Sequence, residues 1–177
     1  MAGSLLSLTL VRHAKSSWNN PLLADVLRPL NARGERDVPK MAAHFALLCR
    51  TGTPPGPDVW LSSPAIRAHA TACGFIHACG LPEGQLGLND SLYHASLDQL
   101  IDLIRQQSDD CHHLCLFGHN PGFNELADWL DGGGFSANIP TCALVQFTLN
   151  VTAWSQLTKG GGRLLRFDGP KWLVSPR

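Results

Sequence analysis

The chain has 177 residues, 44% of them hydrophobic, enough for one well-packed core and too few for two. Lysine plus arginine equal aspartate plus glutamate at 14 each, so no global field draws the protein to nucleic acid or to an anionic membrane, and any anion site must be local. The six cysteines are spread without a CxxC pair, a pattern that favours buried free thiols in a reducing compartment over a disulfide framework.

The first segment, MAGSLLSLTLV, has neither a basic leader nor a small-residue cleavage site, and its apolar run stops at Arg12. It reads as cytoplasmic mature sequence, with a buried strand over Ser4 to Val11. A polar loop, RHAKSSWN, follows. LNARGERDVPKMAAHFALLC then has helical periodicity, with Met41, Phe45 and Leu48 on one face; Pro39 should kink this helix or mark its effective start. Val59 to Ser62 reads as a second buried strand, and SSPAIRAHATACGFIHA as a helix with Ser63 as N-cap and Pro64 at the first helical position. Ser96 to Gln106 carries a capping box, Ser96 with Gln99, and an apolar face of Leu100, Ile101 and Ile104.

Leu114 to Phe117 is a third buried strand. GHNPGFNELADWL after it repeats the polar-proline pattern, with Asn120 as cap and Pro121 first in the helix. Ala143 to Asn150 and Arg163 to Phe167 are further strands, and TGTPPGP, DGGG and KGGG are turns. Residues 1–177 thus form a single α/β domain, helices covering both faces of a mostly parallel sheet in a three-layer α/β/α sandwich. Cys111, His112, His113 and Cys115 suggest zinc, but a strand would send neighbouring members of this group to opposite faces, so no metal site is expected.

In open α/β sheets the ligand crevice lies beyond the carboxyl ends of the strands. Arg12 and His13 follow the first strand, Arg67 falls in the first turn of the helix after the second, and His119 follows the third. The helix N-termini add backbone donors and positive dipole ends. Such a convergent cationic site suits phosphate.

These residues also carry a resemblance. RHAKSSWN resembles the RHG-x-S-x-x-N signature of the histidine phosphatase, or phosphoglycerate mutase-like, superfamily, with Ala14 in place of glycine and Ser16 and Asn19 in register. LNARG, SSPAIRAHATA and GHNPG resemble its helix-start, second-arginine and second-histidine motifs. More narrowly, D-x-x-RPLN-x-RG from Asp25 to Gly34, SLYHAS, and IPT after GHNPG resemble the SixA-like phosphohistidine phosphatases, in order, over roughly Thr9 to Thr141.

The resemblance implies a phosphoglycerate mutase-like fold and a His13 nucleophile that forms a phosphohistidine intermediate, its other ring nitrogen held by a backbone carbonyl. Arg12 and Arg67 would grip the phosphoryl oxygens through bidentate forks. His119, charged or donating a hydrogen bond, and Asn19 would stabilise the developing charge. Ser16, Asp25, Arg28 and Asn120 are candidates for substrate or lid contacts, though Asp25 and Arg28 also fit a plain surface ion pair. No metal or cofactor is needed, because side chains supply the positive charge.

The sequence departs from ester-cleaving relatives around NDSLYHAS, where these usually carry the carboxylic acid that protonates the leaving oxygen. Tyr93, His94 and Ala95 stand there instead, with Asp90 nearby. Loss of a general acid costs about 10²–10⁴-fold. A P–N bond tolerates that loss better, because its nitrogen can be protonated before it leaves. The long insertion that roofs the pocket in many relatives is also missing, which implies an open crevice. The expected partner is therefore a protein bearing phosphohistidine. The alternatives are a small phosphorylated substrate, with Asp90 or His94 as general acid, and a phosphate-recognition module without turnover; nucleic acid and membrane partners are not expected.

Overall fold

The computed structural model describes residues 5–52 and 54–173. β1 (Leu6–Arg12) is the axis of the fold. Both of its faces are covered: Leu6, Leu8 and Leu10 enter one core and Val11 the other, while Ser7 and Thr9, on the same face as Val11, are also buried, with Thr9 Oγ1 2.8 Å from His113 Nε2. The remaining elements are α1 (Ala32–Thr51), β2 (Val59–Ser62), α2 (Ile66–Ala78), β3 (Leu86–Leu88), α3 (Leu97–Arg105), β4 (His113–Gly118), α4 (Gly122–Leu130), β5 (Leu144–Leu149) and β6 (Gly162–Asp168). They build one six-stranded sheet in the order β3-β2-β4-β1-β5-β6. β3, β2, β4 and β1 are mutually parallel, and β5 runs antiparallel to both β1 and β6.

α1 and α2 cover one face, around Phe45, Phe75 and Phe117; α3 and α4 cover the other, around Phe123, Leu126 and Trp154. The three-layer α/β sandwich expected from the sequence is therefore the observed fold. Among the described residues no helix is long and apolar enough to cross a membrane.

Several local expectations need correction. The first expected strand began at Ser4, which lies outside the described residues; the strand itself starts at Leu6. Pro39 neither starts nor interrupts the assigned helix: α1 begins at Ala32 with Asn31 as its cap. Pro39 lies on the exposed side, where the carbonyl left without a partner can turn to water. Ser63 and Asn120 are not the caps of α2 and α4. Those helices start at Ile66 and Gly122, with Ala65 and Pro121 as N-caps; Ser63 Oγ accepts the Ala65 N–H (3.3 Å) just ahead of its helix and also reaches His119, while the Asn120 side chain makes a tertiary contact with Ile139 O. β3, three residues with a glycine at the centre, was not anticipated. By contrast, the Ser96–Gln99 capping box is present in full. Cys111 precedes β4, and it and Cys115 pack into opposite cores, which separates the pair that suggested zinc.

The loop after β1 is folded back on the start of α1. Ser17 N donates to Pro29 O (2.8 Å), Asn31 N donates to Lys15 O (2.9 Å), and the Asn31 side chain accepts from Arg33 N and Gly34 N. Gly34 lets the helix approach closely, since any Cβ there would run into the carbonyl oxygen of Lys15. Gly34→Ala should lower the free energy of unfolding by about 1–3 kcal/mol, whereas Gly84→Ala, which meets open space, should stay within about 0.5 kcal/mol. Urea denaturation of the two variants checks the contrast.

Candidate phosphate site

The carboxyl ends of β1, β2 and β4 deliver His13, Ser63 and His119 to one edge of the sheet. His13 N donates to Gly118 O (3.0 Å) and Ser63 N to Phe117 O (2.9 Å), which joins the strands where the side chains diverge. The His13 ring is fixed by Nδ1, which lies 2.7 Å from Ala14 O. With Nδ1–H donating to that carbonyl, Nε2 carries the lone pair. Ala14 is itself held, because its N–H donates to Thr71 Oγ1 (3.0 Å) and Thr71 Oγ1 donates to Arg67 O (2.7 Å). One threonine of α2 thus ties the nucleophile candidate to the second arginine.

The His13 and His119 rings lie 5.0 Å apart. Burial, then the charges of Arg67 and Arg12, push the His13 pKa down to about 4 against the opposing pull of the Ala14 carbonyl. Burial, His13 and Arg67 push His119 down to about 3. Both imidazoles are neutral at pH 7, so His119 offers an N–H and not a charge. Its Nε2 is 2.8 Å from Ser63 Oγ, while its Nδ1 is buried and has no partner among the described residues.

Positive charge comes from elsewhere. A cavity of about 260 Å³ is lined by Arg12, His13, Lys15, Ser16, Trp18, Asp25, Arg28, Arg67 and Thr141. Arg12 Nη1 donates to Ile139 O (2.6 Å), the carbonyl that also accepts from Asn120 Nδ2 (3.1 Å); Asn124 pins the same loop through Ile139 N and Ala137 O. Asn120 therefore acts as a brace for the loop that holds Arg12. A larger cavity, about 290 Å³ and lined in part by Cys49, Trp60 and Cys79, offers Arg50 alone as a cation.

Asp25 and Arg28 are not a surface ion pair. Arg28 is 5% exposed; it donates to Asp25 Oδ1 (3.0 Å), Ser16 Oγ (2.8 Å) and Ser17 O (2.9 Å), and the Trp18 ring covers it. Arg67, 3% exposed, donates Nη2 to Asp25 Oδ2 (2.7 Å) and Nη1 to the Asp25 carbonyl. Tyr93 Oη donates to the same Oδ2 (2.8 Å), and His94 Nε2 lies 3.3 Å from it. Burial by itself would raise the Asp25 pKa; the hydrogen bonds from Tyr93 and Arg67 and the Arg67 charge overcome it and hold the carboxyl well below the usual range.

Of the residues picked out by sequence, Arg12, His13, Ser16, Asp25, Arg28 and Arg67 line the cavity; His119 and His94 are not in the lining but adjoin it through His13 (rings 5.0 Å apart) and Asp25 (3.3 Å), respectively. Asn19 is exposed and away from the lining, its backbone N–H turned to Ser17 Oγ. Asp90 is exposed, and among the described residues its carboxylate bonds to no member of the site. Sequence reading missed Lys15, Trp18, Ser63, Thr71, Tyr93 and Thr141 as site residues. All six stand inside the quoted motifs RHAKSSWN, SSPAIRAHATA, SLYHAS and IPT, but none has a periodic signature. His69, Cys73 and Glu83 form a separate grouping with metal-ligand spacing away from the cavity.

No protein-family model matches the chain. An uncharacterized chloroplastic protein of Arabidopsis thaliana is 33% identical over 147 residues, covering 78% of this chain and 65% of that protein, so the match spans just under two thirds of the relative's length. A candidate phosphohistidine phosphatase SixA from Agrobacterium tumefaciens superposes with a TM-score of 0.76 at 25% identity, over 94% of this chain and 99% of that one. The protein histidine phosphatase SixA complexed with tungstate has the same TM-score, 0.76, at 19% identity, over 94% and 98% of the two chains.

The two depressed imidazoles give stability a defined pH dependence. Above the ordinary histidine pKa of 6.5 both are neutral folded and unfolded, so their contribution is intact. As pH falls from there towards 4, the unfolded chain binds protons that the folded chain refuses, and stability is lost. The double variant His13→Asn/His119→Asn should flatten the decline of the thermal midpoint between pH 6.5 and 4; an equally steep decline would contradict it.

Proposed function

The chain belongs to the histidine phosphatase superfamily, with the fold of its SixA-like members, and from that premise we propose that it is a metal-independent phosphatase acting on phosphohistidine in proteins through a covalent intermediate on His13. His13 Nε2 attacks phosphorus in line, the bond to the departing group breaks, and water then hydrolyses phospho-His13 to orthophosphate. Arg12 and Arg67 hold the phosphoryl oxygens. Ser63 turns its hydrogen to His119 Nε2, which leaves the imidazole N–H on Nδ1, a nitrogen without a protein partner and free to donate to the developing charge.

The observation that carries the choice of substrate is the state of Asp25. It is the one carboxyl group on the cavity wall, and Arg67, Arg28 and Tyr93 keep it ionised. An ionised carboxylate cannot protonate an ester oxygen, whereas a protonated phosphohistidine leaves without help. Exposed apolar surface supports a protein as the carrier: Trp18, on the cavity wall, is 71% exposed, and Leu22 (93%) and Leu27 (48%) lie on either side of Asp25 along the chain. All six cysteines are free, which suits the reducing, cytoplasmic location read from the sequence.

A second reading, hydrolysis of a small phosphomonoester, rests on His94, whose Nε2 is 3.3 Å from Asp25 and could serve as the acid. Asp90 lends it nothing. Phosphate recognition without turnover conflicts with a free Nε2 on His13 beside two arginines.

The experiment follows release of phosphate from a phosphohistidine-bearing protein and from a panel of phosphomonoesters. Turnover of the phosphohistidine protein should exceed that of the esters and fall about 10³-fold or more in His13→Ala, and acid-labile phosphate should be trapped on His13. Faster ester turnover that collapses in His94→Ala would establish the second reading instead.

A further inference from the structure

The cavity presents a cationic leaving group with an electrostatic problem. A phosphohistidine leaves most readily when its distal ring nitrogen carries a proton, so that the ring attached to phosphorus is an imidazolium. That ring must enter a space walled by Arg12, Lys15, Arg28 and Arg67. The phosphoryl group answers the arginines that grip it, but the positively charged ring behind it would be repelled by the same wall. Asp25 is the one anion among the lining residues.

We propose that Asp25 forms a leaving-group subsite: its carboxylate accepts the N–H of the N-phosphorylated imidazolium and so selects the protonated form of the substrate. This rests on the phosphohistidine reading above and extends it from the phosphoryl group to the group that departs. Two observations support the subsite. Among the described residues Oδ2 is crowded by Arg67, Tyr93 and His94, but Oδ1 takes Arg28 Nη1 alone and keeps an acceptor site. The Asp25 side chain is 40% exposed, whereas those of Arg67 and Arg28, bonded to it, are 3% and 6% exposed; the anion is the open end of the network.

The chemistry balances without an added acid. The lone pair of His13 Nε2 forms a bond to phosphorus; the P–N bond of the substrate breaks, and its electron pair returns to the ring nitrogen. The proton already on the distal nitrogen stays there, held against Asp25, so the histidine departs neutral. Water then attacks phospho-His13, the second P–N pair returns to Nε2, and the water proton leaves with orthophosphate.

An anion beside the ring raises the pKa of the bound imidazolium. The basic limb of kcat for the phosphohistidine protein should therefore move to lower pH in Asp25→Asn, and Asp25→Glu should bring it back towards wild type. Asp25 also positions Arg67, so Asp25→Asn will slow every substrate. The subsite predicts a loss of kcat/KM on phosphohistidine at least tenfold greater than on para-nitrophenyl phosphate, whose leaving group departs without a proton. Equal losses on both, with an unmoved limb, would reduce Asp25 to a positioning residue and overturn the inference while leaving the phosphohistidine reading intact. A wild-type enzyme inert towards phosphohistidine would remove both.

A second measurement needs no variant. Relative to their uncatalysed rates, the wild-type enzyme should favour phosphoimidazole over its N-methylated, permanently cationic counterpart at least tenfold, because the methyl group removes the N–H that Asp25 accepts. Absence of that preference would also overturn the subsite.

Discussion

Two guanidinium groups, Arg28 and Arg67, share the single carboxylate of Asp25, and the shape of the site depends on that shared counter-ion. Both arginines are almost completely buried, and a buried guanidinium without an anion is costly. Arg28 is fixed by Ser16 and by the carbonyl of Ser17, so the loop after β1 is drawn down against the turn at Asp25–Leu27. Arg67, on α2, reaches the same turn from the other side of the cavity. A residue in an irregular segment thereby sets the distance between the loop that carries His13, the proposed nucleophile, and the helix that carries Arg67, the proposed second phosphate grip.

That arrangement separates two electrical jobs that a cationic phosphate site has to perform. Attraction for the phosphoryl group is assigned to arginines, which stay charged at any working pH. In the proposed reaction, attack on phosphorus falls to an imidazole whose burial and cationic neighbours keep it neutral. The same arginines that would bind the substrate therefore help to maintain the lone pair that attacks it. Were the site more exposed, His13 would titrate near its ordinary value and part of the enzyme would be protonated at neutral pH.

Much of the fold was legible in the sequence because its signals are local. β2 and β4 are short apolar runs, β1 and β5 are rich in Leu, Val and Phe, and β6 keeps Leu164, Leu165 and Phe167 among charged residues; Val59–Ser62 was located to the residue. The strand-end positions of Arg12, His13, Arg67 and His119 followed from those strands. The helix starts after β2 and β4 were misplaced by two residues or fewer, for one physical reason: Ser63 and Asn120 look like caps, since a short polar side chain before proline usually is one. In the folded chain Ser63 serves His119, and Asn120 serves the Ile139 carbonyl. β3 escaped notice because three residues around Gly87 carry neither period nor β-branched side chains; it pairs with β2 along one edge only.

The role of Asp25 was the least legible feature, and the reason is separation along the chain. Its partners lie 3, 42, 68 and 69 residues away, at Arg28, Arg67, Tyr93 and His94. Only the first of these is visible as a sequence pattern, and that one suggests an exposed i,i+3 pair of little energetic value. The long-range contacts turn the same aspartate into the hub of a network whose two arginines are buried. They also invert its chemical meaning: a carboxyl group near a phosphate site is a candidate acid by composition, but one clasped by two arginines and a tyrosine is held as the anion, the state that the proposed leaving-group subsite requires.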